Sequence, residues 1–404
     1  MTYRALLRNR EFAAILASQT LSTAGDQLAR IAFAFLVYDR TGSATAASAT
    51  YAVSYLTYLV AGPVLSAVSD RNNRVSIMVA CDLLRAPLVL LPCLLDSSVL
   101  LAFVCLGLLG LLAPPFDSAR SSVQPDLLPG DSYVVGNALM NMVVQAAQVL
   151  GFVIGGAVVA ATSVRGALAL DAATFLVSAG FVLALVRPRP MPEPTTDQVG
   201  LLRSVVEGSR VVLADRRLVR YLTYALIGSA ALIVPEGLAV PISRELGAGA
   251  TGAGLLTGSL PAGFLVGSLL VLRVQPSSRP SMLPWLALAG SAPLLLTPLV
   301  DDIVLMSVLW LVAGIGGTVN LVASSAYMQQ APREVRGRAY GLAVTALNLV
   351  QGGFLLLGGV VAGWTTPRES VALLAVVVLG LLAVGVLVSA QTQGDRGFVR
   401  EFRG

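Results

Sequence analysis

Ser98-Val-Leu-Leu-Ala-Phe-Val-Cys-Leu-Gly-Leu-Leu-Gly-Leu-Leu-Ala-Pro-Pro-Phe-Asp-Ser-Ala-Arg120 carries no charge before Asp117. A helix rises ~1.5 Å per residue, so crossing a bilayer core of about 30 Å takes roughly 20 apolar residues. The run is continuous rather than alternating, which reads as a helix and not as a barrel strand. Working outward, similar runs fill most of the chain, and spans are expected at 11–38, 45–69, 74–95, 98–120, 133–161, 165–186, 219–243, 250–273, 281–299, 302–328, 338–363 and 368–390. Within lipid only helices or closed barrels satisfy their backbone groups. The fold expected is an all-α integral membrane protein with twelve transmembrane helices.

Composition agrees. Hydrophobic residues make up 56% of the chain and charged residues 12%, with a mean hydropathy of +0.80. Soluble domains carry about a quarter charged residues. Every basic residue is arginine and histidine is absent, which rules out histidine proton relays, histidine metal sites and a Ser-His triad. The net charge of +5 comes from arginines spread through loops, without a basic block or stacking aromatics. Membrane topology explains them and nucleic-acid binding does not. Cys81, Cys93 and Cys105 lack metal-ligand spacing and read as small buried hydrophobes, so no metal is expected. The run following Arg4, Arg8 and Arg10 is too long for a signal-peptide core and reads as a retained first span.

The longest polar break, Arg187 to about Leu218, opens with a proline-rich segment and divides the spans six and six. The expected domains are an N-terminal six-helix bundle at 1–186, a cytoplasmic linker at 187–218, a C-terminal six-helix bundle at 219–390 and a cytoplasmic tail at 391–404. With both termini inside, 21 arginines fall on cytoplasmic segments and 4 (Arg40, Arg165, Arg244, Arg368) outside. Arginine asymmetry of that size sets the orientation. A shift of 203 positions also aligns Ser121-Ser122 with Ser324-Ser325, Pro129 with Pro332, Gln148 with Gln351 and Gly155-Gly156 with Gly358-Gly359. The halves therefore read as pseudo-symmetric parallel bundles around a central cleft, a layout suited to rocking transport.

Charges within spans are costly and mark candidate sites. Asp26 lies near the middle of the first span, with Arg30 four residues on and on the same face. Asp26 reads as a proton-titrating or cation-binding group modulated by Arg30, or else as half of a fixed ion pair with it. Asp171 and Glu236 lie in the outer parts of the sixth and seventh spans, as further acids for cargo or proton. Asp82 and Arg85 form a second same-face pair, read as gating or structural, with Asp70, Asp117 and Arg120 completing a cytoplasmic charge cluster. Asn137, Asn141, Gln145, Gln148, Asn348 and Gln351 are candidates to line the cleft; hydrogen bonding between helices is their alternative.

The loop after the second span reads Gly62-Pro-Val-Leu-Ser66-Ala-Val-Ser-Asp70-Arg71-Asn-Asn-Arg74. It resembles the Gly-x-x-x-Asp-Arg-x-Gly-Arg signature of the major facilitator superfamily. Asp70, Arg71 and Arg74 match, while Ser66 and Asn73 stand where glycines are usual. The resemblance implies a tight cytoplasmic turn whose charges pair across the bundle interface. Asp26 in its local sequence, the Thr41-Gly42-Ser43 turn, Asp82-Leu-Leu-Arg85, Asp171-Ala-Ala-Thr-Phe175 and Arg336-Gly-Arg338 resemble the enterobactin-exporter and macrolide-efflux branch. Gly151-Phe-Val-Ile-Gly155-Gly156 is similar to an antiporter signature with Phe152 in place of proline. Small residues at that spacing permit close helix approach, a role that Gly358 and Gly359 repeat.

No phosphate-binding Gly-x-x-x-x-Gly-Lys loop is present, so energy is expected from an ion gradient, with protons the default and no cofactor. The reading is a proton-coupled secondary transporter, not an enzyme. It is expected to export a small amphipathic drug, antibiotic, siderophore or other metabolite by alternating access. The alternatives are uptake or lipid movement on the same scaffold, or a non-transporting membrane sensor or assembly protein. A monomer in a bacterial inner membrane is expected, contacting lipid, protons and a small-molecule cargo.

Overall fold

In the computed structural model the backbone is described for residues 6–70, 72–95, 98–128, 131–187, 209–210, 212–332 and 336–401. Side chains are described over the same residues except 60–70, 131, 134, 337, 338 and 386–401. Six helices form the first half: α1 (Arg10–Thr41), α2 (Ala44–Asp70), α3 (Arg74–Leu94), α4 (Val99–Leu127), α5 (Asp131–Ala161) and α6 (Val164–Leu185). The second half holds α7 (Arg216–Glu245), α8 (Gly249–Leu272), α9 (Leu283–Ser291), α10 (Ile303–Gly316), α11 (Val319–Gln330), α12 (Arg336–Trp364) and α13 (Pro367–Glu401). No strand occurs among the described residues. Most of the expected linker and Arg71 lie outside them, as does the side chain of Asp70.

Among the described residues, ten helical segments are long and apolar enough to cross a membrane. The other two expected spans are α1 and α2, which are also continuous helices, of 32 and 27 residues. Asp26, Gln27 and Arg30 dilute the apolar character of α1, and the side chains of α2 are described only as far as Leu59.

Two expected spans are not single helices. The ninth holds only nine α-helical residues, between 3-10 stretches at Pro276–Met282 and Pro293–Leu299. Proline removes an N–H and clashes with the preceding turn, so the tighter helix replaces the α form on both sides. The tenth span breaks between Gly316 and Val319. There the backbone of Gly316 lies directly against that of Gly290 in α9. Pro235 and Pro241, by contrast, sit inside an uninterrupted α7, as membrane helices allow when neighbours satisfy the freed carbonyls.

Local caps fix the turns. Gly42 ends α1 with φ 64° and returns its N–H to the Tyr38 carbonyl at 2.8 Å. Asn73, where the family signature has glycine, caps α3: its Oδ1 accepts from the N–H of Val75 at 3.0 Å and Ser76 at 3.4 Å. The substitution exchanges a flexible turn residue for an N-cap.

Lipid supplies little hydrophobic drive between helices, so small residues decide where they meet. In α5, Gly155 packs on its own bundle: a Cβ there would lie 2.8 Å from the Leu28 Cα of α1. Its neighbour Gly156 packs across to the other bundle, 2.7 Å on the same measure from the Gly254 Cα of α8. In α12, Gly358 packs on Val234 of α7, and Gly359 crosses to the Thr45 Cα of α2 at 2.8 Å. The same pair of contacts thus recurs in both halves. Gly151 also packs within its bundle, on Ala24.

Candidate functional site

A cavity of about 240 Å³ lies between the bundles where α1, α2, α5, α7, α8, α10, α11 and α12 converge. Its polar wall consists of the amides of Gln27, Gln145, Gln148, Asn320 and Gln351 with the hydroxyl of Thr257; Phe152, Leu232, Ile233, Leu260 and Phe264 form the apolar wall. Arg30 and Glu236 also face it and meet across the interface, with Arg30 Nη1 donating to Glu236 Oε1 at 3.3 Å. Their side chains remain 27% and 15% exposed. The Arg30 guanidinium lies 5.6 Å from the ring centre of Tyr55, within cation–π range. Gln27 is 6% exposed, and its Oε1 has no hydrogen-bond partner among the described residues; Asn320 Oδ1 is likewise unpartnered. An amide wall with unmatched acceptors beside aromatic and aliphatic surface can hold an amphipathic molecule, with a few polar groups fixing its orientation.

The structure pairs Arg30 with Glu236 rather than with Asp26, its partner in the alternative reading. Helix geometry places Asp26 and Arg30 on one side of α1, but the longer reach of Arg30 goes to Glu236, 206 residues away. Asp26 is half-buried, without an ion pair among the described residues. It lies within Coulombic range of Arg85, Arg30 and Asp117.

Asp82 and Arg85 turn inward among α1, α3, α4 and α6, with Asp117 of α4 in Coulombic range of Asp26 and Cys81 beside them. Asp82 is 0% and Arg85 4% exposed, with 3.8 Å between Asp82 Oδ1 and Arg85 Nη1. Ser178 of α6 donates to Asp82 Oδ2 at 2.5 Å and is itself 2.6 Å from the Ser18 hydroxyl of α1. Arg85 lies over the rings of Phe116 and Phe175, at 5.1 and 5.6 Å. Asp171, also 0% exposed, packs its carboxylate against Gly25. Desolvation at such burial forces each acid to find a cation, a donor or a proton. Asp117 and Arg120 pair with one another at 3.4 Å, and Arg74 binds Asp126 at 2.9 Å and the Ser122 carbonyl at 2.7 Å.

Of the expected cleft amides, Gln145, Gln148 and Gln351 line the cavity. Asn137 and Asn141 lie on the same face of α5 but nearer its start, outside that lining, and both are exposed. Asn348 is also outside it and donates to the Val344 carbonyl of its own helix at 2.9 Å.

Sequence reasoning missed Gln27, Tyr55 and Asn320. It also missed a closure between the bundles at the α1–α2 end, where Arg244 of α7 binds Asp39 of α1. Beside it Thr45 donates to the Gly359 carbonyl at 2.7 Å and Ser48 to that of Leu355 at 2.6 Å. The one available signal was the placement of Asp39 and Arg244 near the ends of equivalent spans in the two halves.

A family model described as Major Facilitator Superfamily matches residues 15–352. The chain is 25% identical over 371 residues to YfiS of Bacillus subtilis, described as an uncharacterized MFS-type transporter, covering 89% of this chain and 88% of that one. It is 26% identical over 386 residues to the multidrug efflux pump Tap of Mycobacterium tuberculosis, covering 92% of both. A solved structure of a bacterial homolog to the human lysosomal transporter Spinster, inward-facing and occupied, superposes with a TM-score of 0.75 at 13% identity. It covers 96% of this chain and 97% of that one, a likeness of fold.

Proposed function

As a member of the major facilitator superfamily, the chain is a multi-pass membrane transporter of small molecules and not an enzyme, and we propose that it exports an amphipathic compound in exchange for protons. The observation that carries this reading is the Arg30–Glu236 pair, which joins the two bundles inside a cavity walled by amides on one side and aromatics on the other. A cargo entering there competes for both charged groups and so acts on the contact between the halves. Differential binding to two arrangements is what couples a ligand to a conformational change. Likeness to a multidrug efflux pump over 92% of the chain supports export.

Asp26 is the proton-exchanging acid in this reading. The residue is half-buried at mid-helix and has, among the described residues, no ion pair that would hold it permanently ionised. Both termini face the cytoplasm of a bacterial cell, by the arginine asymmetry. The closure at Asp39 and Arg244 is then the outer gate. No cofactor takes part, and the gradient supplies the energy.

The test is an accumulation assay in cells or proteoliposomes with a panel of lipophilic antibiotics and siderophores, run with and without an uncoupler. Wild-type protein lowers accumulation of at least one compound, and the uncoupler abolishes that effect. Asp26→Asn expresses normally and shows no export driven by a pH gradient. Uncoupler-insensitive export, or full activity of Asp26→Asn, refutes proton coupling through this residue.

A further inference from the structure

Arg30 and Glu236 bring equal and opposite charges to one cavity from the two bundles, and each keeps bonding capacity. A guanidinium carries five N–H donors and a carboxylate about four acceptor positions. The 3.3 Å bond from Arg30 Nη1 to Glu236 Oε1 uses one of each. Both side chains retain exposed surface, 27% and 15%, in the wall of the 240 Å³ cavity. Gln27 lies one turn before Arg30 on the same face of α1. It is 6% exposed, lines the cavity and leaves its Oε1 without a hydrogen-bond partner among the described residues. Asn320 of α11 adds a second such acceptor to the wall. A buried amide oxygen left unpaired carries a free-energy cost that a donor on a bound molecule removes.

Charge balance selects the ligand. A lipophilic cation satisfies Glu236 and leaves Arg30 uncompensated; an anion does the reverse. Leaving one partner of a poorly hydrated pair without its counter-charge is the costly arrangement. A neutral lipophile leaves the open acceptors unmet. A zwitterion serves both charges, and its ammonium, with three donors, has two left for the amide oxygens. Spacing narrows the class further. Standard bond lengths place the ammonium nitrogen of an α-amino acid about 2.7 Å from its nearer carboxylate oxygen. Charge-assisted hydrogen bonds run to about 2.7–2.9 Å. With its carboxylate on Arg30 and its ammonium on Glu236, such a head group closes a four-cornered ring of alternating charges. The fourth side of that ring is the 3.3 Å contact already present. Charges set a whole peptide unit apart would have to prise that contact open.

We propose that the cavity recognises an α-amino-acid head group, a free ammonium and a free carboxylate on one carbon. The apolar remainder of the molecule lies on the opposite wall, against Phe152 and Phe264. The head group bonds to both bundles at once, so its binding strengthens their contact instead of replacing it. This rests on the reading that cargo binds between the bundles, and it deepens that reading by naming the class of cargo.

Titration calorimetry of the purified full chain in detergent, with L-phenylalanine as the probe, tests the assignment. L-Phenylalanine binds saturably. N-acetyl-L-phenylalanine and L-phenylalaninamide, which each lose one charge and keep the ring, bind about ten- to a hundredfold more weakly. Glycyl-L-phenylalanine, whose charges are a residue apart, is also weaker. Glu236→Gln no longer discriminates against the acetylated probe, and Arg30→Gln no longer discriminates against the amide. Equal affinity for the three phenylalanine derivatives, tighter binding of the dipeptide, or no saturable binding of L-phenylalanine overturns the proposal. Should either variant fail to fold, the probe series on the wild type decides alone. The measurement needs no gradient, so its failure is distinct from failure of the export reading. Accumulation assays answer that question separately, whatever the calorimetry shows.

Discussion

Arg244 Nη2 donates to both carboxylate oxygens of Asp39, at 2.7 and 2.9 Å, tying the end of α7 to the end of α1 across the two halves. The guanidinium also lies 5.0 Å from the ring centre of Phe35. Both charged side chains are nearly half exposed, 45% and 46%. Such a pair contributes about 0–1 kcal/mol, too little to hold the bundles shut by itself but enough to bias a balanced equilibrium. Asp39→Asn is expected to shift the population toward separation at this end by up to about fivefold. Distances between spin labels at Ser43 and Ala248 measure the shift, and exchanging the charges (Asp39→Arg with Arg244→Asp) recovers most of the wild-type distribution. Unchanged distances in Asp39→Asn would show that the pair is incidental.

The glycine crossing of α5 and α8 has no slack. A Cβ on Gly156 would fall 2.7 Å from the Gly254 Cα, and this neighbour is backbone. Gly156→Ala is therefore expected to push the helices apart at a cost of about 1–3 kcal/mol to the state seen here. Transport should fall steeply while expression and helix content by circular dichroism stay normal. Wild-type turnover in this variant would mean that the crossing is looser than the geometry indicates.

Removing one partner of Arg30–Glu236 leaves the other charge in a cavity that only partly hydrates it. For fully buried pairs the loss is about 3–5 kcal/mol; the residual exposure here makes it smaller. Glu236→Gln and Arg30→Gln should each lower the thermal midpoint in detergent. The double variant should regain stability yet remain inactive. Recovery of transport along with stability would reduce the pair to a structural role.

Asp215 caps α7, accepting from the Arg217 N–H at 2.7 Å and from Gln330 Nε2 at 3.0 Å. The Gln330 hydrogen bond, followed by the backbone donors, holds its carboxyl below the usual carboxylate range. A depressed folded-state value stabilises the protein above the unfolded carboxylate range, and that contribution disappears as pH falls through the folded value. Asp215→Ala is expected to cost about 1 kcal/mol at neutral pH, typical of a lost N-cap. The difference in melting temperature from wild type should shrink as the medium is acidified below the carboxylate range. A pH-independent difference would assign the effect to packing.

Hydropathy made the spans legible because each long apolar run has only one way to satisfy its backbone in lipid. The doubled glycines at Gly155-Gly156 and Gly358-Gly359 were also visible, since a repeat at one shift survives without knowledge of contacts. The breaks around α9 and at Gly316 were not. Proline and glycine are common inside membrane helices, and only the contact of Gly316 with Gly290 separates a break from a tolerated residue. The charged partners were harder still. Periodicity places Arg30 next to Asp26 on one helix, whereas the partner it meets belongs to the other bundle. The inward turn of Asp82 toward Ser178 was hidden for the same reason, its partner lying 96 residues away.

The glycine crossings also set a mechanical ratio. Gly156 lies near one tip of α5, and the helix runs back from it to Asp131, a lever arm of ~38 Å at ~1.5 Å per residue. Each degree of tilt pivoting on that contact sweeps the far tip through about 0.7 Å. A rotation of about ten degrees on that fulcrum would carry the opposite tip through about 7 Å.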